Sequence, residues 1–210
     1  MKESTRDAIL QTSQKLFNER GVYNVTLRQI ATEIQMSQGN LNYHFRKKED
    51  IIKELFNQFS VLLNSEFTEV AKMGQNFYFI FELARKTLVL QMQYRFLIVD
   101  LNYLVNDLPE IEIVVRETMI QRVNQFKQLF KDFVEKEFMR KPEYKIEYDE
   151  LAMRLYLLGV YSILPLAKEY ELNESKTIKK YLSIILSTCY PYLTKTGKTN
   201  YTIASQDYGI

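Results

Sequence analysis

The stretch TLRQIATEIQMSQGNLNYHF, which begins at Thr26, contains two helix starts in close succession. Thr26 and Gln29 form the T-x-x-Q pattern of a capping box, and Val25 and Ile30 occupy the two positions of a hydrophobic staple. Ser37 is a favourable N-cap for the next helix, and only the turn QMS separates the two. Helices joined by so short a turn cross steeply, so this stretch predicts a helix-turn-helix.

The rest of the chain also has the pattern of helices. Six Gly and four Pro in 210 residues are too few for the turns of an all-β protein. Apolar spacing and helix-breaking signals predict further helices near 5–20, 48–72, 76–92, 95–106, 110–139, 149–171 and 174–195. We therefore expect an all-α fold, with an N-terminal three-helix helix-turn-helix domain followed by a larger C-terminal helical domain.

The domain boundary is predicted where short helices give way to long ones. We place a helix-turn-helix domain at 1–47, a larger helical domain at 48–195, and a loose polar tail at 196–210. No Gly/Pro-rich linker lies near the first boundary, so the two domains are expected to share a continuous helix.

Composition argues against several other classes of protein. The single cysteine, Cys189, rules out an internal disulfide framework and fits a reducing compartment. The N-terminus has no apolar signal region, and the longest apolar run, 157–167, is too short for a membrane span and contains Pro165. The sequence has no Gly-rich phosphate loop, metal-ligand cluster or nucleophile beside a histidine. We predict a cytoplasmic protein that is not an enzyme and needs no cofactor or metal.

The third predicted helix, QGNLNYHF, has an unusual outward surface. With Leu41 facing the core, helical spacing turns a set of small and amide side chains outward. They are Gly39, Asn40, Asn42 and Tyr43, with Gln38 and His44 near the rim. An ordinary solvated helix carries Lys and Glu, which are better helix formers than Asn or Gly. Side-chain amides pair with adenine edges in a major groove, and Gly allows close backbone approach.

Groups suited to phosphate surround this surface. Thr26, Ser37 and Lys48 stand at helix N-termini, where free N–H groups favour anions. Arg28, Arg46 and Lys47 add mobile positive charge. A small helical bundle with an ordinary polar surface remains the alternative reading of these residues. The net charge of +2 does not decide between them.

The stretch TLRQIATEIQMSQGNLNYHFRKKEDI resembles the DNA-binding signature of the TetR family of bacterial transcriptional regulators. The matching positions are Thr26, Ile30, Ala31, Ile34, Met36, Ser37, Gly39, Leu41, His44, Phe45, Lys48, Glu49 and Ile51. The strong resemblance covers about residues 6–55. It implies that 1–47 is a DNA-binding domain and that 48–195 is a ligand-binding and dimerisation domain. It also implies a homodimeric regulator, which in that family is a repressor that leaves a palindromic operator when a small ligand binds.

The resemblance also implies roles for individual residues. It gives phosphate contacts to Thr26, Ser37, Tyr43 and Lys48, and it places Gln38, Asn40 and His44 at the groove. The family usually has an aromatic residue where this chain has Asn42, so Asn42 either reads a base or leaves a backbone contact to Tyr43. Lys47 stands where Ser or Asn often caps the next helix. His44, the only histidine, lacks partners for catalysis or metal binding, which leaves DNA-side or structural packing.

Dimerisation through the last two predicted helices is a further implication of the resemblance. A two-fold operator requires two recognition helices about one duplex turn apart, ~34–36 Å. The predicted interface comprises Leu155, Gly159, Ser162, Ile178, Leu182, Ile185 and Cys189. The small residues Gly159 and Ser162 would allow close helix approach. Cys189 is expected to be a buried apolar residue, and a redox sensor is the alternative.

Aromatic and methionine residues in the middle helices are either ordinary core or the lining of an apolar cavity. The candidate lining residues are Phe77, Phe81, Phe96, Asn102, Tyr103, Met119, Asn124, Phe126, Met153 and Tyr156. Two functions follow from the sequence. The first is a repressor that responds to a small lipophilic ligand, and the alternative is an all-helical small-molecule or lipid binding module that does not bind DNA.

Overall fold

The computed structural model describes residues 4–71, 74, 76–170 and 174–210. Regular structure in these ranges is helical, apart from an isolated bridge between Met139 and Leu193. The α-helices are α1 Thr5–Arg20, α2 Leu27–Glu33, α3 Gln38–His44, α4 Lys48–Ala71, α5 Phe77–Gln93, α6 Phe96–Val99, α7 Leu101–Asp107, α8 Pro109–Glu135, α9 Glu147–Tyr161, α10 Ile163–Tyr170, α11 Glu174–Ser187 and α12 Lys195–Asp207. A 3₁₀ turn covers Tyr190–Tyr192. The all-α prediction is confirmed.

Several predicted boundaries need correction. The predicted helix 95–106 is interrupted at Asp100, which separates α6 from α7. The predicted helix 149–171 begins earlier, at Glu147, and is interrupted at Ser162. The last predicted helix ends at Ser187, because a 3₁₀ turn containing Pro191 follows it. The predicted ends at residues 72 and 171 lie outside the described residues.

The chain forms two compact units. The first contains residues 1–62 and 93–113, and the second contains residues 63–92 and 114–210. The first unit is therefore larger than the predicted domain 1–47, because it includes the first part of α4 together with α6 and α7. The functional division at residue 47 stays a prediction.

In the first unit, the loop after α1 is fixed from two sides. Asp100 accepts a hydrogen bond from the backbone N–H of Val22 at 2.7 Å. Lys48 donates one from Nζ to the carbonyl of Val22 at 2.8 Å. The ring of Phe17 contacts that of Phe96, with centroids 5.3 Å apart. These contacts hold α1 and the loop after it against the start of α4 and against α6.

The second unit has an aromatic core that includes the C-terminal segment. Phe77 contacts Phe133 at 5.0 Å between ring centroids, and Phe81 contacts Tyr201 at 5.2 Å. The ring of Tyr208 also lies against Phe81. The prediction of a loose tail at 196–210 is thus wrong in structure, since α12 occupies most of it.

The tail is helical because it carries a helix start and a narrow buried face. Thr194 caps α12, with its hydroxyl accepting from the backbone N–H of Gly197 at 3.0 Å. Tyr201, Ala204 and Tyr208 follow at helical spacing, and Ala204 is fully buried. The buried stripe is narrow, and the surrounding Lys and Thr residues masked it in the sequence.

An ion pair between the half-buried Arg140 and the buried Glu147 closes the connection between α8 and α9. The carboxylate of Glu147 accepts two hydrogen bonds from the guanidinium of Arg140, at 2.6 and 2.8 Å. The backbone N–H of Glu143 donates to the same carboxylate at 2.7 Å. The Arg140 hydrogen bonds are the main cause that lowers the pKa of Glu147 to about 2. Glu147 therefore stays charged at neutral pH and fixes this connection.

One helical stretch, Glu147–Ala167, is long and apolar enough to be a candidate membrane span by length and composition alone. It is longer than the predicted apolar run 157–167. Only 28% of the most apolar 18 residues of this stretch is buried within the chain, so much of the apolar surface faces outward. The core helix of a soluble protein can have the same length and composition. The outward residues of this stretch are described below.

Candidate DNA-binding surface

The helix-turn-helix begins at the predicted capping box. The Thr26 hydroxyl accepts from the backbone N–H of Gln29 at 3.3 Å, and the Gln29 side chain accepts from the Thr26 N–H at 2.8 Å. Val25 and Ile30, the predicted staple, are both fully buried. Between α2 and α3, Gln35 has a φ of 54°, a left-handed conformation that tightens the turn. The sequence therefore predicted this local geometry correctly.

Helix α3 presents the face that its spacing predicts. Ser37 caps it, accepting a hydrogen bond from the backbone N–H of Asn40 at 3.2 Å. Leu41 and Phe45 are buried in the unit, whereas 85% of the Tyr43 side chain is exposed. The exposed set on the other side comprises Gln38, Gly39, Asn40, Asn42 and Tyr43. The side-chain amides of this surface are thus free to meet a ligand outside the subunit.

His44 lies at the edge of this face and is half-buried. Its ring stands edge-on to Tyr43, with centroids 5.4 Å apart. Within the described ranges, no group of three His, Cys, Asp or Glu residues could hold a metal ion. This geometry suits packing beside a bound duplex.

Positive charge surrounds the face, and the phosphate contact predicted for Lys48 stays a prediction. Arg28, Arg46 and Lys47 are exposed. Lys48 is half-buried, and its ammonium donates to the Val22 carbonyl. Burial lowers the pKa of Lys48. Its side chain therefore stabilises the fold of the first unit, and a direct phosphate contact by this ammonium would compete with the Val22 bond.

The start of α4 shows how Lys47 replaces the usual cap. Its backbone N–H donates to the carboxylate of Asp50 at 3.1 Å, so half of a capping arrangement remains without a capping hydroxyl at position 47. The long side chain of Lys47 is left exposed. Position 47 therefore provides an exposed cation near α3 in place of a capping hydroxyl.

Arg6 is a neighbour of this surface that the sequence did not reveal. Its guanidinium lies 4.4 Å from the ring centroid of Phe45, and it forms an ion pair with Glu54 at 3.1 Å. Phe45 directly follows α3, so Arg6 supports the C-terminal end of that helix. Its distance in sequence from residues 37–48 hid this contact.

The ten residues predicted to line a ligand cavity are divided between the two units. Phe96 and Tyr103 belong to the first unit, where they contact Phe17 and Tyr23 respectively. Asn102 and Asn124 are exposed. The rings of Phe77 and Phe81 fill the aromatic core described above. Half-buried residues of the second unit, Met119, Phe126, Met153 and Tyr156, remain compatible with a ligand site.

Most residues predicted at a dimer interface are buried within the subunit. These are Leu155, Ile178, Leu182, Ile185 and Cys189, all at most 7% exposed. They lie in the core of the second unit, and their place in a dimer interface stays a prediction. Gly159 and Ser162 are half-buried. The outward apolar residues of this region are Leu157, Leu158, Tyr161, Leu164 and Ile184, each at least 38% exposed.

Cys189 behaves as the predicted buried apolar residue. It is 5% exposed, and burial raises the pKa of its thiol to about 12. The reactive thiolate is therefore disfavoured at neutral pH, which argues against a redox sensor.

The fold and the outward face of α3 define a helix-turn-helix DNA-binding protein. The model for "Bacterial regulatory proteins, tetR family" matches residues 9–55, and that for the TetR "Bacterial transcriptional repressor" matches residues 58–201. The chain belongs to the TetR family, and it is a DNA-binding transcriptional regulator rather than an enzyme.

Individual relatives agree with this family. The chain is 36% identical over 56 residues to the HTH-type transcriptional repressor KstR2 of Mycolicibacterium smegmatis, a match spanning 27% of each chain. Among solved structures, a TetR-family transcriptional regulator from Marinobacter aquaeolei superposes with a TM-score of 0.82 at 23% identity, covering 98% of this chain and 99% of that one. A putative transcriptional regulator from Saccharomonospora viridis, in complex with choline, has a TM-score of 0.68 at 18% identity, covering 90% and 98%.

Proposed function

We propose that the protein is a homodimeric repressor that binds a palindromic operator and leaves it when a small, mainly lipophilic ligand binds the second unit. The observation that most directly supports this proposal is the exposed face of α3, where Asn40, Asn42 and Tyr43 point outward and Leu41 is buried. In this proposal the amides read base edges in the major groove. The exposed apolar residues of α9 and α10 support self-association. A cytoplasmic location belongs to the same proposal.

The N-terminal groups would set the register on the duplex. The hydroxyls of Thr26 and Ser37 stand at the starts of α2 and α3, where they already accept backbone N–H groups. The exposed hydroxyl of Tyr43 and the cations Arg28 and Lys47 would contact phosphates around the groove. His44 would pack beside the backbone, held by its contact with Tyr43.

Ligand release is the allosteric part of the proposal. A ligand lowers operator affinity only if it binds more tightly to a conformer whose two α3 helices no longer match the half-site spacing. A regulator with this fold, the one from Saccharomonospora viridis, has been solved with choline. Ligand binding in the second unit of this chain is inferred from that similarity and from its half-buried Met119, Phe126, Met153 and Tyr156.

A salt titration tests the proposed phosphate contacts. Log K for the operator should fall linearly with log salt, and Arg28→Ala and Lys47→Ala should each reduce the slope by about 0.9, the value for one lost phosphate contact. Lys145→Ala is the matched control, because this exposed lysine lies in the second unit. Fluorescence anisotropy with a labelled duplex gives the slopes.

Slopes unchanged in both variants would contradict the proposed contacts. Lys48→Ala gives a separate result. This substitution should reduce the stability of the first unit, because it removes the hydrogen bond to the Val22 carbonyl. A change in the salt dependence of its operator affinity therefore does not by itself report a lost phosphate contact.

A further inference from the structure

Among the residues that the structure describes, Arg122 is a buried cation without an acidic partner. It lies on α8 in the second unit and is 8% exposed. Its guanidinium donates to the side-chain oxygens of Asn64 at 2.5 Å and Gln125 at 2.8 Å, and it lies 4.9 Å from the ring centroid of Phe67. Its Nε has no hydrogen-bond partner within the described residues. The positive charge is thus solvated by neutral groups alone.

Two other arginines of the same unit have carboxylates beside them. Arg85 pairs with Glu82, and Arg140 pairs with Glu147, each at 2.6 Å. The pKa of Arg122 is lowered by its burial, and the ionisable group acting on it is the hydroxyl of Tyr156. Removing a guanidinium from water without an anion is unfavourable. The apo protein therefore carries an electrostatic cost here that a bound anion would offset.

The surroundings of Arg122 are mainly apolar. Met119 and Phe126 lie one turn before and one turn after it on α8, and both are half-buried. Phe67 comes from α4 and Tyr156 from α9, so three helices contribute to one cluster. This arrangement offers apolar and aromatic contacts around a single buried positive charge.

We propose that Arg122 binds the carboxylate of an amphipathic effector, whose apolar part lies against Met119, Phe126 and Phe67. This inference rests on the proposed ligand-responsive function and adds the chemical class of the ligand. The guanidinium has a free Nε–H, and a planar fork of donors matches a carboxylate. Asn64 and Gln125 hold the group in place.

The same site disfavours a cation. The regulator from Saccharomonospora viridis was solved with choline, a quaternary ammonium. A buried guanidinium repels such a ligand in a region of low dielectric. The two proteins share a fold, but Arg122 predicts opposite ligand charge for this chain.

The alternative role for Arg122 is a brace between α4 and α8 through Asn64. The two roles differ in what Arg122→Met does. If the arginine is a brace, methionine removes two hydrogen bonds and lowers the melting temperature. If it is a ligand contact, methionine fills a similar volume, removes an uncompensated charge, and keeps or raises the melting temperature of the apo protein.

Direct binding by calorimetry tests the proposal with octanoate, dodecanoate, hexadecanoate and naphthoate, each paired with its neutral alcohol. We expect the full-length protein to prefer at least one carboxylate over its alcohol by about 10- to 100-fold, the ratio for a charge-assisted hydrogen bond. Arg122→Met should lose this preference while keeping its melting temperature and its affinity for duplex DNA. Arg116→Met, at an exposed arginine on the same helix, should keep the preference.

Equal binding of acids and alcohols, a preference that survives in Arg122→Met, no binding by any probe, or a fall in melting temperature without a change in preference would each overturn the inference. Because duplex binding by the apo protein is measured separately, these results leave the proposed repressor function standing. Failure of the unmodified protein to bind a selected duplex would count against that function alone.

Discussion

Gly197→Ala is expected to lower the free energy of unfolding by about 3 kcal/mol, the upper part of the range for overpacking. A Cβ at this position would lie 1.9 Å from the carbonyl oxygen of Phe138. That oxygen is backbone and also accepts the N–H of Thr194 at 3.0 Å, so it cannot move without disturbing the start of α12. The loss is measurable by urea denaturation of the full chain.

Gly39→Ala is the matched control for this stability measurement. Gly39 is also helical, but a Cβ there meets no atom within 4 Å. Alanine at an exposed helical position should stabilise by about 0.5–1 kcal/mol, because glycine is a poor helix former. If Gly197→Ala proved as stable as the unmodified protein, α12 would not pack as described, and the C-terminal segment would be the loose tail that its composition suggests.

Leu158→Glu is expected to convert a dimer into monomers and to reduce operator affinity by about 100-fold or more, the gain usual for linked binding of two sites. Leu158 is one of four exposed apolar residues along α9 and α10, together with Leu157, Tyr161 and Leu164. A contiguous apolar face of this kind marks an interaction surface. A buried carboxylate at its centre would be desolvated without a partner. Analytical ultracentrifugation and anisotropy measure the two effects.

Ile120→Glu provides the control, since Ile120 is a 52% exposed apolar residue on α8 of the same unit. It should leave both association and operator affinity unchanged. A Leu158→Glu protein that remains dimeric would contradict the proposed interface. A monomeric unmodified protein that co-sediments with lipid vesicles would show instead that the face covers a membrane surface, consistent with the composition of Glu147–Ala167.

Sequence reasoning worked best where the signals were local. The capping box at Thr26, the cap at Ser37 and the buried position of Leu41 each depend on neighbours within four residues. Such signals fix the orientation of α3, so the outward face could be predicted residue by residue. The family signature adds to this, because it is carried by the same short stretch.

Contacts between distant parts of the chain could not be predicted in this way. Lys48 was selected for its position at the start of a helix, and nothing in that local pattern indicates its hydrogen bond to the distant carbonyl of Val22. The interface residues were chosen from the most apolar stripe of each helix, yet that stripe forms the subunit's own core. On α9, the exposed apolar residues lie on the neighbouring face, which includes Leu157 and Leu158.

Arg122 shows the same limit and a usable signal. Its spacing from Met119 and Phe126 places a charged residue on an otherwise apolar stripe of α8. A search of this stripe for apolar residues alone does not detect Arg122. Whether such a residue is paired depends on α4, and no pattern within α8 reveals this.

The proposed function requires that α3 enters the major groove of a duplex and that its side-chain amides bind base edges there. Selection of duplexes from a random pool, by the unmodified protein and by Asn40→Ala and Asn42→Ala, measures this most directly. We expect an inverted repeat whose half-site centres lie about 10–10.5 base pairs apart or at a multiple of that spacing. Each variant should relax the preference at particular base pairs, by about 1–3 kcal/mol. An unmodified protein that enriches no sequence, or variants that lose affinity equally for all duplexes, would contradict base reading by α3.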